Sequence, residues 1–160
     1  MTIQYQVADY TDPKHADDLV MLMDHYASDP MGGGEPLNEN VKAVLASELA
    51  KQQGAVSIIA YDSDQAVGLL NAFTGFSTFA AKPLMNIHDV VVLDGHRGKG
   101  ISQGLINALV DIAKGNGCVK LTLEVLQNNH IAKGSYTKLG FKAYELDPAS
   151  GHAEFWQKYL

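Results

Sequence analysis

Asp89-Val90-Val91-Val92-Leu93-Asp94-Gly95-His96-Arg97-Gly98-Lys99-Gly100-Ile101-Ser102 is the stretch on which the fold turns. The run Leu84–Leu93 is apolar except for Asn86, His88 and Asp89, which predicts a strand buried on both faces in the middle of a sheet. Three glycines follow, and then Ile101, Leu105, Ala108, Leu109, Ile112 and Ala113 recur at helical spacing up to Gly115-Asn116-Gly117. Glycines let a backbone turn tightly and let a ligand approach its amides. Successive N–H groups at a helix start hold anions, aided by the positive end of the helix dipole. Arg97 and Lys99 add formal charge in a chain that is otherwise net negative. The turn therefore reads as a cradle for a phosphate or pyrophosphate, against the plainer reading of a glycine-rich connection. A P-loop is excluded because Gly98-Lys99 is followed by Gly100 and not by Ser or Thr. A dinucleotide fingerprint is excluded because Gly104 comes one residue too late after Gly98-Lys99-Gly100.

Upstream, Ala55–Tyr61 and Ala66–Phe76 flank the turn-rich Asp62-Ser63-Asp64-Gln65 and predict an antiparallel hairpin. Ile3–Ala8 alternates as a first strand. Two helices are expected between them. The first covers Lys14–Tyr26, with Pro13 in its first turn. The second covers Glu39–Gln53, capped by Asn38, with Val41, Val44, Leu45 and Leu49 on one face and Gly54 at its end. Asp29-Pro30-Met31-Gly32-Gly33-Gly34-Glu35-Pro36 reads as a flexible loop of the kind that covers a site. Downstream, Val119–Leu126 alternates as a strand, Asn128 or Asn129 caps a short helix to Leu139, and Phe141–Leu146 and Ala153–Leu160 are expected as final strands. The fold class is thus α/β (α+β): a mixed, mostly antiparallel sheet with helices on both faces, in a single domain over 1–160.

Composition narrows the function classes. Twelve Lys+Arg against 18 Asp+Glu give a net charge of −6, the wrong sign for a general nucleic-acid binder. Cys118 stands alone, so no intrachain disulfide forms. The six histidines show no i, i+4 pair, and no metal is expected. No apolar run approaches the roughly 18 residues of a membrane span, and the first ten residues lack a signal-peptide pattern, so no membrane partner and a cytoplasmic location are expected.

Arg97-Gly98-Lys99-Gly100-Ile101-Ser102 resembles the arginine/glutamine-x-x-glycine-x-glycine/alanine signature of the GNAT superfamily of acetyl-CoA-dependent N-acetyltransferases, with Ser102 where glycine or alanine is usual. Asn129-His130-Ile131-Ala132-Lys133-Gly134-Ser135-Tyr136-Thr137-Lys138-Leu139-Gly140-Phe141 is similar to a second segment of the family. The resemblance implies an acyl-CoA N-acyltransferase fold whose two central strands splay apart around the pantetheine arm. It implies that the backbone of Val90, Val91 and Val92 holds that arm, that the amides from Arg97 through Gly98, Lys99, Gly100 and Ile101 to Ser102 hold the pyrophosphate, and that Asn129 and Ala132 line the other side. Tyr136 falls where the family places its general acid. Many relatives are homodimers, and a homodimer is expected here.

The implied chemistry is attack of an amine on a thioester. An alkyl amine of pKa about 10.4 costs roughly 4.6 kcal/mol to deprotonate at pH 7 (about 3.4 units at 1.36 kcal/mol each). A base, a water relay or a site for the neutral amine is therefore required. Proton donation from a free phenol to a thiolate is uphill by roughly 2 kcal/mol, so Tyr136 is expected to act in concert with C–S cleavage or with a lowered pKa. Diamine and glucosamine-6-phosphate acetyltransferases carry a Glu-Asp pair where this chain has His88-Asp89. Those two residues and Glu124 are the candidates for the amine end. Neighbouring strand residues face opposite sides, so His88 and Asp89 share a pocket only if a bulge intervenes. The expected reaction is acetyl transfer from acetyl-CoA to a primary amine of a diamine-like or amino-acid-like small molecule. A protein amine, an amino sugar or a non-catalytic CoA-binding sensor are the alternatives.

Overall fold

The computed structural model describes residues 2–160, which form two compact units, one ending at Leu123 and one running Glu124–Leu160. The first contains a five-stranded sheet in sequential order: β1 (Ile3–Val7), β2 (Ala55–Asp62), β3 (Gln65–Ser77), β4 (Lys82–Val92) and β5 (Leu121–Leu123). All neighbours are antiparallel except β4 and β5, which are parallel. This is the expected mixed, mostly antiparallel sheet. The β2–β3 turn is tighter than the tetrapeptide suggested: Asp62 and Gln65 are themselves paired, and Ser63 takes a positive φ of 55°.

Helix α1 (Pro13–Ser28) starts as its sequence requires, with Asp12 accepting from the His15 N–H and Pro13 in the first turn. It buries Leu19 and Leu22 fully, against Ile59, Leu69 and Val91 of the sheet. Each such side chain contributes about 1.5–3 kcal/mol of hydrophobic stabilisation. Helix α2 (Glu39–Lys51) is capped by the Asn38 side chain. Its inward face differs from expectation. Ala46 and Leu49 are buried, whereas Val41 and Val44 are exposed, because α2 packs on α1 near the rim.

Helix α3 (Ile101–Gly115) covers the opposite face of the sheet with Ile101, Leu105, Ile106, Leu109 and Ala113. Two glycines allow it to lie close. A Cβ on Gly68 of β3 would stand 3.1–3.3 Å from Ile101 and Leu105, and one on Gly104 would run into the Tyr5 ring of β1. Gly104 is therefore a packing glycine, which is why it sits outside any phosphate-binding spacing.

The second unit holds helix α4 (His130–Lys138) and a 3₁₀ turn at Pro148–Ser150. The strands expected at Phe141–Leu146 and Ala153–Leu160 are absent among the described residues. One backbone bond, Ala153 N–H to Tyr144 O, and a His152–Glu145 contact join the two segments. Alternation sets which side chains share a face, but a strand exists only where a ladder forms, and here a single bond does not make one. The strand expected over Val119–Leu126 is likewise shorter, running Leu121–Leu123, with two further backbone bonds to β4 just before it (Val119 N–H to Pro83 O and Met85 N–H to Lys120 O).

Candidate functional site

Strand β4 outruns its parallel neighbour. Ile87↔Leu123 is the last pair with β5, yet β4 continues to Val92. On its other side it stays paired with β3, through Leu70↔Val90, Leu69↔Val91 and Gly68↔Val92. Leu93 donates to Val67 O, so by alternation Val91 turns its N–H and C=O toward β3, while Val90 and Val92 turn theirs to the side where β5 has ended. Of the three expected valines, Val90 and Val92 thus present an open backbone edge. The Val92 carbonyl accepts from Arg97 Nε at 3.1 Å.

β4 also carries a bulge. Asn71 pairs with Asp89 and Ala72 with Ile87, leaving His88 as the extra residue. Asn71 Nδ2 donates to Asp89 Oδ2 at 3.0 Å, and the His88 ring lies 4.6 Å from that of Phe73, two residues on from Asn71 along β3. His88 and Asp89 therefore share the face that α1 covers, the one arrangement in which both serve a single pocket. His88 is exposed and Asp89 half-buried, so the expectation of a strand buried on both faces fails at the bulge, although Met85 and Ile87 are buried on one face and Val91 on the other. Burial raises the Asp89 carboxyl above the ordinary carboxylate range, opposed by the Asn71 hydrogen bond and the His88 charge. Tyr26 of α1 has its phenol pushed up by burial and by the charges of Asp89 and Asp29.

The turn after β4 runs through a 3₁₀ turn, Asp94–His96, to the start of α3. Gly98 and Gly100 hold φ of +76° and +79°, and nothing lies within 4 Å of where a Gly98 Cβ would stand. The N–H groups of Gly98, Lys99, Gly100 and Ile101 have no acceptor among the described residues. Four unbonded donors at the positive end of a 15-residue helix suit a pyrophosphate. The side chains behave otherwise than expected. Arg97 pairs with Asp29 (3.0 Å) and Asp94 (3.1 Å), and Lys99 Nζ folds back onto Gly95 O (2.9 Å). The cradle is built of backbone, and its formal charges are already engaged.

Asp29 organises the glycine loop that the sequence suggested was flexible. Its carbonyl accepts from Gly32 and Gly34, its carboxylate from the Met31 N–H, and Glu35 N–H bonds Ala27 O. A Cβ on Gly32 would strike the Tyr26 carbonyl. The Met31 hydrogen bond, and then Arg97, hold the Asp29 carboxyl below its ordinary range.

In the second unit, Asn129 is the residue that caps α4, accepting from the Ala132 N–H at 3.2 Å. Gly140 (φ +88°) ends the helix in a Schellman motif. Its N–H bonds Thr137 O, and Phe141 N–H bonds Tyr136 O. The Phe141 ring packs 6.0 Å from that of Tyr136. The paired Asn…Ala and Tyr…Gly-Phe spacings are thus the start and stop signals of α4. Glu124 lies just past the end of β5 and is exposed, so it is not the mid-strand carboxylate the sequence suggested. Sequence reasoning missed Asn71 and Tyr26 beside Asp89; a polar residue in the otherwise apolar run Val67–Phe73 was the available signal for Asn71. No cluster of metal-binding side chains occurs among the described residues.

The model of the acetyltransferase (GNAT) family matches residues 19–141. The chain belongs to that family. Streptothricin acetyltransferase of Streptomyces lavendulae is 38% identical to this GNAT chain over 82 residues, 51% of this chain and 43% of that protein. Glucosamine 6-phosphate N-acetyltransferase of Trypanosoma brucei brucei is 35% identical over 68 residues, 42% and 44% of the two chains. The matched stretch spans less than half of each of these relatives. An aminoglycoside N-acetyltransferase crystallised with CoA superposes with a TM-score of 0.77 at 18% identity, covering 99% of this chain and 96% of that one. At that identity the superposition shows the GNAT fold alone.

Proposed function

We propose that this chain transfers an acetyl group from acetyl-CoA to a primary amine of a small molecule. The observation that carries the reading is the set of unbonded amides from Gly98 to Ile101, placed where β4 has shed its neighbour. Acetyl-CoA supplies an activated acyl thioester. The amides of the α3 turn would hold its pyrophosphate, and the open groups of Val90 and Val92 would hold its pantetheine amides as an added strand does. Asp89, with His88 beside it on one face, receives the amine and its proton. Burial suits Asp89 to this role, because a carboxyl that binds its proton more tightly is a stronger base near neutral pH. Tyr136 protonates the departing thiolate; what supports that role is its place in the Asn129–Phe141 segment, which is similar to a segment of the family.

Aminoglycoside and glucosamine 6-phosphate, the acceptors named for related proteins, both carry amines, which supports a small amine acceptor. We also propose a homodimer, supported by the exposed Phe155, Trp156 and Tyr159 of the tail, and tested by the solution mass of the full chain against one lacking the last eight residues.

The test is release of free thiol from acetyl-CoA with a panel of amines. Wild-type and Tyr136→Phe proteins should bind CoA equally, with turnover falling about a hundredfold or more in the variant. Equal turnover would remove Tyr136 from the mechanism. Thiol release with no amine in the panel, while CoA still binds, would favour a CoA-binding sensor.

A further inference from the structure

A line of hydrogen bonds crosses three strands beneath α1. Ser57 of β2 is buried and gives its hydroxyl proton to Asn71 Oδ1 at 2.6 Å, so at 2.9 Å it must accept from the Tyr10 hydroxyl. Asn71 of β3, also buried, gives one amide hydrogen to Asp89 Oδ2 at 3.0 Å and turns the other to Met23 Sδ at 3.2 Å. A flipped amide would set its oxygen against the carboxylate, so the network itself fixes the orientation. A primary amide neither gains nor loses a proton near neutral pH, and the line therefore holds position and carries no protons. Its end point is Asp89. Oδ2 already accepts one hydrogen bond and keeps one lone pair, whereas Oδ1 has no donor among the described residues.

We propose that Asn71 is a positioning residue that biases incoming donors toward Asp89 Oδ1, so that the site favours an alkylammonium over a guanidinium. A guanidinium pairs best with both carboxylate oxygens in a planar fork. An ammonium is a compact charge with three rotatable donors and is satisfied by one oxygen. With Asn71 already donating to Oδ2, a fork must share that oxygen with the amide, whereas an ammonium is satisfied at Oδ1 alone. The inference rests on the reading of Asp89 as the amine end of the site. The titratable group whose charge acts on Asp89 is His88 on its own strand; Tyr26 on α1 faces it as a neutral phenol that burial and the Asp89 charge hold protonated, and β3 contributes the neutral Asn71.

The experiment uses the full chain, acetyl-CoA and an amine shown to be turned over, with butylamine and butylguanidine as competing ligands. Wild-type protein should bind butylamine about tenfold more tightly than butylguanidine, a factor worth one directed hydrogen bond. Asn71→Leu, nearly isosteric, frees Oδ2 and should bring that ratio close to one. It should also move the acid limb of kcat/KM upward by about one pH unit, because a hydrogen bond to the ionised carboxylate is lost. A purely structural role for Asn71 moves neither readout. An unchanged ratio and a superimposable acid limb in Asn71→Leu protein that still binds CoA would overturn the proposal. If that variant does not fold, Ser57→Ala serves: it leaves the Asn71–Asp89 bond but unmoors the amide, and both readouts should shift the same way by a smaller amount. No shift there overturns the proposal equally. Asp89→Asn separates the two levels. Wild-type kcat/KM in that variant would refute Asp89 as the amine end, whereas loss of activity together with an inert Asn71→Leu would refute only the positioning role.

Discussion

The α3 turn and the β4 bulge both prepare for a ligand, but with opposite materials. At the turn, four backbone amides are left without acceptors while the cations Arg97 and Lys99 are folded onto Asp29, Asp94 and Gly95. At the bulge the backbone merely sets a register, and the chemistry lies in side chains: Asp89, His88 and the buried Asn71. A site of the first kind tolerates changes of charge at its rim and fails when φ is disturbed. A site of the second kind tolerates little change of side-chain chemistry.

The sharpest way to break this contrast is Gly100→Glu. The variant places an L side chain at φ +79° and a carboxylate where the pyrophosphate is expected, and CoA affinity by calorimetry should fall at least about a hundredfold. Unchanged affinity would refute the cradle. Asp89→Asn comes next: kcat/KM for the amine should fall about a hundredfold to ten-thousandfold, with CoA affinity unaltered. If CoA binding fell with it, the two regions would not be separable.

The pH profile sharpens the comparison further. Because burial raises the Asp89 carboxyl, the acid limb of kcat/KM should lie above the roughly pH 4 of an ordinary carboxylate. The sign for stability is opposite. A carboxyl raised in the folded state binds its proton more tightly there, so acidification through that range favours the fold. Asp29, held low, contributes stability that is present above the unfolded value of about 4 and is lost only below it. Activity should therefore disappear at a pH where circular dichroism still reports a folded chain; coincident transitions would contradict the assignment. The smallest effect is expected from Lys99→Ala. With its ammonium on Gly95 O, its removal should change CoA affinity less than about threefold.

Much of this was legible in the sequence. The order of the first nine elements followed from periodicity, and the glycine turn was recognisable because positive φ and free amides demand glycine in particular positions. The bulge could be named only as a condition, since it depends on the register between β3 and β4. Asn71 was hidden for the same reason: its meaning comes from a partner 18 residues away. Glu124 and the two terminal segments misled because alternation was taken for pairing. Val41 and Val44 misled because an apolar stripe does not say how far toward the rim its helix sits.

One consequence of the truncated β5 concerns the protein when it has no substrate. An inner strand whose neighbour stops short presents the hazard of an outer rim, a template on which any extended polypeptide can zip. Arg97 blunts it by sitting on the Val92 carbonyl, which shortens the usable template to Val90 and the Val92 amide. Whatever small molecule occupies that slot thus also shields the chain from its own kind, and starved preparations should cloud sooner than saturated ones.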